Sequence, residues 1–293
     1  MKKKIGFAII LVLITSIFFE IILNNVISYV PDWLPYVKFT ILMAAGIMCI
    51  FIKDFKQFWK FTIILAAITV VQVATAFITK TSFWNSIFDH NTFAGNFGGA
   101  ILLKFISILP IVGVLLFTMK STREFYLCKG DLSIKAERIS WLGINKDSIS
   151  WGKLSLISGM LISFGTILLT IITVTGISAP KGLDKFLNYL PLIMIFAFVN
   201  SFCEGVLFRS AVLGTLKDVL PKKYLLLIAA VFFGIGHYYG VPSGIIGAVM
   251  SSILGWYMCR SMYETKGFVS SWIIHFMQDA VIFSSICLLG SFR

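Results

Sequence analysis

The sequence predicts an all-α, polytopic membrane protein of about nine transmembrane helices, eight being the lower reading, with its N-terminus inside. Three observations predict it. Of 293 residues, 58% are hydrophobic and only 13% charged, against roughly 45–50% and about 25% in soluble domains. Nine stretches approach the ~20 apolar residues that cross about 30 Å of hydrocarbon: 5–30, 34–52, 61–78, 100–119, 154–177, 189–216, 224–239, 243–259 and 268–289. The net charge of +12 sits in short connections between these stretches, which marks topology. A soluble fold and a disordered chain are both excluded by composition. Nucleic-acid binding is excluded too, because it needs base clustered on one soluble face.

Each element follows from local chemistry. The first stretch comes after Lys2, Lys3 and Lys4, but it exceeds the 7–15 residue apolar core of a secretory signal and no small-x-small site closes it. It reads as a retained helix. Between the third and fourth stretches, residues 80–99 carry Trp84, Phe88, Phe93 and Phe97, the aromatics that settle at a membrane interface. Residues 120–153 are the one long soluble-looking segment. They divide the chain into a four-helix membrane region (1–119), a cytoplasmic loop (120–153) and a second membrane-embedded region (154–293).

The seventh and eighth stretches are the shortest. The eighth repeats Gly247, Ser251 and Gly255 every four residues, a small-residue stripe that lets helices pack closely. Counting Lys and Arg on alternate sides of nine helices puts eighteen with the N-terminus and six opposite: Lys38, Lys80, Lys104, Lys181, Lys185 and Arg293. The twenty-fifth, Arg209, lies inside a helix. This bias predicts N-inside, C-outside. The five cysteines are scattered and free of CxxC, so neither a disulfide framework nor a thiolate zinc site is indicated.

An ionisable group inside a membrane is costly and marks function by default. The second half concentrates them: Glu204 and Arg209 in the sixth stretch, His237 at the end of the seventh, His275 and Asp279 in the ninth. The first half offers Glu20, facing the bundle or reaching toward Lys104 or the outer interface, with Gln72 and Lys104 itself. His90, beside Asp89 in the outer loop, reads as a solvated histidine. His275 and Asp279 are four apart and share a helix face. Measured from the nearest cytoplasmic lysine at 1.5 Å per residue, Glu204 lies roughly 20 Å deep, His237 roughly 21 Å and His275 roughly 13 Å. One site near the bilayer middle, open to the cytoplasm, collects them all.

Those residues resemble the CAAX protease and bacteriocin-processing family of intramembrane endopeptidases, also called the Abi family. Phe202 to Arg209, reading FCEGVLFR, is similar to its EExxxR motif; FGIGH, ending at His237, to its FxxxH; and HFMQD, from His275 to Asp279, to its HxxxN or HxxxD. The likeness is best over 188–285. It implies a protease in which Glu204 and His237 activate a water while His275, positioned by Asp279, holds the oxyanion and Arg209 gives structural or electrostatic support. It also implies membrane-anchored protein or peptide substrates, prenylated CAAX proteins and bacteriocin-related peptides among them, and no required cofactor.

The residues alone leave a zinc site of His237, His275 and Glu204 open, since three ligands and an open position is the catalytic pattern, although no HExxH helix supplies it. The motif's second glutamate is Gly205 here, which removes the acidic partner of Arg209. An unpaired buried guanidinium is costly, so Asp279 is expected to balance it. Gly205 also keeps a second function class in view, a catalytically impaired adaptor or bacteriocin self-immunity protein of the same fold. A transporter would show interrupted helices in matching places of two halves, which the sequence lacks. The expected location is the cell membrane of a bacterium, as a multi-pass protein within the lipid bilayer.

Overall fold

Without water to bond their backbones, apolar runs in lipid must satisfy every N–H and C=O internally, and each predicted stretch is helical. The structure, a computed structural model, describes residues 1–89, 91–145, 147–173 and 183–289. His90, Lys146, Lys181, Arg293 and the end of stretch 154–177 lie outside the described residues. Among those described there is no strand, only two isolated antiparallel bridges in the 120–153 segment.

The chain runs through α1 (Lys2–Thr15), α2 (Phe18–Ile27), α3 (Leu34–Phe51), α4 (Trp59–Thr79), a short α5 (Ser82–Ile87), α6 (Phe93–Thr118) and α7 (Trp151–Thr173). It continues with α8 (Leu183–Glu204), a π-helical turn (Gly205–Ser210), α9 (Ala211–Leu216), α10 (Lys222–Gly236), α11 (Gly244–Thr265) and α12 (Val269–Leu289). Seven helices among the described residues are long and apolar enough to cross a membrane, with α8, the π turn and α9 counted as one, or up to eight if α1 and α2 form one bent span. The seventh predicted stretch, 224–239, is α10, whose 15 residues rise only about 22 Å. It forms a close hairpin with α11.

Two differences from the sequence reading have local causes. The first predicted helix is broken, with a 59° bend between α1 and α2. Ser16 makes the break: its backbone is extended, and its hydroxyl donates to Leu13 O at 3.1 Å while accepting from Phe18 N at 3.3 Å, replacing ladder bonds. The fourth helix starts at Phe93, not at residue 100, because Thr92 Oγ1 caps it by accepting from Gly95 N at 3.0 Å. Asn96, Gly98 and Gly99 dilute the hydropathy there without breaking the helix. Phe93 is consequently buried against Tyr189 and Phe196 rather than lying at an interface.

One continuous core joins the two membrane regions. Leu11, Phe61 and Leu65 from the first pack in the same cluster as Val212, Leu213, Leu225 and Phe232 from the second. The 120–153 segment is tied beneath the α11–α12 connection. Phe268 N donates to Cys128 O at 2.7 Å and Asp131 N to Thr265 O at 2.8 Å. Gly130, at φ +74, lies so close that a Cβ there would meet Gly267 Cα at 2.7 Å. Glu264 anchors this layer, accepting from Trp151 Nε1 (2.8 Å), Glu137 N (3.1 Å), Lys222 Nζ (2.9 Å) and Arg260 Nε (2.7 Å).

Glu20 does not reach Lys104. It pairs with Lys38, whose Nζ also donates to Ser16 O at 2.8 Å. Lys38, counted above as an outer-loop cation, is 3% exposed within α3. The pair fastens the bend of the first span to α3. Replacing Lys38 by Met strands the Glu20 carboxylate, and a loss of about 2–3 kcal/mol is expected. Thermal unfolding in detergent should show Glu20→Gln recovering part of that loss in the Lys38→Met background.

Candidate active site

The site begins where α8 stops being an α-helix. Residues five apart on a regular helix point about 140° away from one another. The π turn Gly205–Ser210 directly after Glu204, bonded i to i+5, brings Arg209 round toward the side of Glu204. His275 on α12 receives both: Arg209 Nη2 lies 3.0 Å from His275 Nδ1, and Glu204 Oε2 lies 3.6 Å from His275 Nε2. His237 caps the end of α10 and puts its Nε2 3.5 Å from the same Glu204 Oε2. All five residues singled out from the sequence therefore converge.

The hydrogen-bond partners assign the two imidazole tautomers, and assign them oppositely. A backbone carbonyl only accepts, so His237 Nδ1, 2.8 Å from Phe233 O, carries a proton, and in the neutral ring Nε2 is then the lone-pair nitrogen. A guanidinium only donates, so His275 Nδ1 accepts from Arg209 and the ring carries its proton on Nε2. Glu204 Oε2 thus faces one acceptor nitrogen and one donor. The Phe233 ring holds the arrangement from behind, 4.2 Å from the His237 ring centroid, edge-on to His275 at 5.6 Å, and 5.7 Å from the Arg209 guanidinium carbon.

Asp279 does not pair with Arg209. It lies on the opposite edge of His275, with Oδ1 3.5 Å from Nε2, while Oδ2 accepts from Asn200 Nδ2 at 2.9 Å. Arg209, fully buried, is instead held by His275 Nδ1, by Ser201 O at 3.5 Å and by the Phe233 face. No carboxylate stands within hydrogen-bond distance of it among the described residues.

Two residues enter the site that the sequence reading left out of it. Lys104 of α6, counted above as an outer cation, donates to Glu204 Oε1 at 2.7 Å and to Asn200 Oδ1 at 2.6 Å. Asn200 is linked in turn to Asp279, so one chain of contacts runs Glu204, Lys104, Asn200, Asp279. The signals were present: a lysine in mid-stretch, and an amide four residues before Glu204 on the same face.

A cavity of about 630 Å³ leads to Glu204, Lys104 and His237. Its walls are apolar, with Ile68, Val71, Leu103, Ile108 and Leu207. It runs along the Thr79 half of α4 and the Ala100 end of α6, the halves remote from the lysine-rich loops. The sequence depths pointed to access from the opposite, basic side. They measured only how far each residue lies along its helix and carried nothing about which helices part.

Among the described residues, no group of three or more His, Cys, Asp or Glu is arranged to hold a metal ion. The donor chemistry agrees: His275 spends its Nδ1 lone pair on Arg209 and turns a protonated Nε2 toward Glu204, so the His237, His275, Glu204 set lacks one of the lone pairs zinc needs.

No curated protein and no solved structure matches the chain. Residues 186–281 match the family model described as Type II CAAX prenyl endopeptidase Rce1-like. The matched region nearly coincides with the 188–285 core delimited by the three motifs, and it holds every site residue except Lys104. Over residues 186–281 the chain is therefore similar to the Rce1-like, type II CAAX prenyl endopeptidases.

Proposed function

We propose that the protein is an intramembrane endopeptidase working by glutamate and histidine chemistry on membrane-associated protein or peptide substrates. The observation that carries this reading is the convergence of His237 Nε2 and His275 Nε2 on Glu204 Oε2, at 3.5 and 3.6 Å. A water placed there gives one hydrogen to Glu204 and directs the other at the His237 Nε2 lone pair. Glu204 removes the proton as the water oxygen bonds to the peptide carbonyl carbon. The carbonyl oxygen, now negative, accepts from His275 Nε2–H, a donor kept in a site poor in water, where such bonds are worth most. Glu204 then passes its proton to the amide nitrogen as the C–N bond breaks, and the remaining water proton goes to His237 Nε2, leaving a carboxylate and an amine.

Each other residue serves this geometry. Arg209 fixes the His275 tautomer, and Asp279 with Asn200 steadies the opposite edge of that ring. No metal takes part in the proposed steps. Prenylated CAAX proteins and bacteriocin-related peptides fall within the substrate class, and the apolar cavity suits a hydrophobic chain.

One observation favours a second reading, a non-catalytic adaptor or immunity protein. At Gly205 a Cβ would meet Phe268 Cζ at 2.5 Å and Arg209 Nη2 at 2.8 Å. The room for the family's second glutamate is filled by the Phe268 ring, which is buried.

Three measurements follow. With purified protein in bilayers and a panel of membrane-anchored and prenylated peptides, Glu204→Ala is expected to abolish cleavage, whereas a chelator leaves it intact. Chelator sensitivity would overturn the metal-free mechanism, and a folded wild type that cuts nothing would favour the adaptor. Arg209→Met frees Nδ1 to take the proton, so kcat should fall about 10²-fold or more with a smaller change in KM. At Gly205, Ala should cost about 1–3 kcal/mol by overpacking and Glu more. Adding Phe268→Ala is expected to restore much of the melting temperature of Gly205→Glu, and additive losses would show that the ring is not the obstacle.

A further inference from the structure

Lys104 has no place in the mechanism just derived, yet it makes the shortest polar contacts in the site. Its ammonium bridges Glu204 Oε1 and Asn200 Oδ1, and its side chain is 45% exposed and lines the cavity. Among the residues lining that cavity, Lys104 is the one cation and Glu204 the one carboxylate. Resting on the endopeptidase reading, we propose that Lys104 is the receptor for the free C-terminal carboxylate of a peptide substrate, and that until such an anion arrives it is latched onto the Glu204 base.

The physical case has two parts. An ammonium 2.7 Å from Oε1 draws on the charge that Glu204 needs to take a proton from water. The same ammonium has no reason to leave, because a lysine without a partner in low dielectric is costly. An uncharged peptide end therefore leaves the latch closed. A carboxylate entering the cavity offers Lys104 a replacement partner, and the flexible four-carbon stem lets the head group turn to it without moving α6. Only a ligand that interacts differently with the two arrangements can shift between them, and here that difference is one negative charge. Recognition of the free end and release of the base become one event.

Asn200 supports the exchange from the other side. It accepts from Lys104 and donates to Asp279, so the ammonium is held where α6 faces the cavity instead of lying only against Glu204. The site then prefers peptides cut near a free C-terminus to internal or amidated segments.

The test uses the full chain in phosphatidylcholine nanodiscs and a fluorescent apolar hexapeptide made with a C-terminal carboxylate or a C-terminal amide. Anisotropy should show the carboxylate form binding wild type at least tenfold more tightly than the amide. Lys104→Met should erase the preference and Lys104→Arg retain it. Glu204→Gln, which removes the competing carboxylate, should bind the acid more tightly than wild type, an effect that a purely structural lysine would not produce. In cleavage assays kcat/KM should follow the same order, with the amide at least tenfold poorer for wild type alone.

Equal binding of acid and amide by wild type, or a folded Lys104→Met that keeps the preference, would overturn the proposal. If Lys104→Met does not fold, the Glu204→Gln result decides, since weaker or unchanged binding there refutes the latch. Displacement of the peptide by an equal concentration of oleate would reassign the receptor to a lipid carboxylate. Preference without cleavage would sink the endopeptidase reading and leave the receptor standing, whereas cleavage without preference would do the reverse.

Discussion

A guanidinium can donate hydrogen bonds and cannot accept them, and the site depends on that asymmetry. With Arg209 against Nδ1, His275 is obliged to carry its proton on the nitrogen that faces Glu204. With a backbone carbonyl against Nδ1, the neutral His237 ring has its lone pair on Nε2 instead. Two residues of the same type thereby take complementary roles a few ångströms apart. The π turn is the backbone feature that permits it. On an uninterrupted α-helix Arg209 would point away from Glu204, and His275 could not meet both.

The low dielectric imposes the second level of organisation. A charge in lipid that finds no partner costs several kcal/mol, so each buried carboxylate is answered by a cation or an amide: Glu20 by Lys38, Glu204 by Lys104, Asp279 by Asn200, Glu264 by Lys222 and Arg260. These pairs also act as fasteners between helices far apart in sequence. Lys104 and Glu204 are 100 residues apart, and their contact joins the first membrane region to the second as the shared hydrophobic core does. The segment matching the family model holds Glu204, Arg209, His237, His275 and Asp279, while α4 and α6 from outside it supply cavity wall and the Lys104 ammonium that touches Glu204.

Much of this was legible in the residues. Composition and hydropathy located the helices, because the 30 Å apolar slab leaves little choice of element, and the five ionisable groups of the second half converge as their depths implied. What escaped was three-dimensional. Lys104 and Lys38 were counted with the outer side, since a hydropathy pattern records where a charge interrupts a stretch but not what it points at. The start of α6 was hidden by glycines that only the Thr92 cap explains. The partner of Arg209 was sought among carboxylates by counting charge. A neutral imidazole, an aromatic face and a backbone oxygen turned out to share it, and none of these registers in a charge count.

That last point bears on what Gly205 means. If a second glutamate were needed to neutralise Arg209, its absence would leave a guanidinium stranded and the turn unstable. Here the guanidinium lies 5.7 Å from the Phe233 ring, an arrangement that offsets part of the cost of burial, and Phe268 fills the volume a longer side chain at 205 would take. The tautomer of His275 depends on the donor, not on what balances the donor's charge. A glycine at 205 therefore leaves the Arg209–His275 contact in place, with the Phe233 ring against the guanidinium and the Phe268 ring in the volume a longer side chain would take.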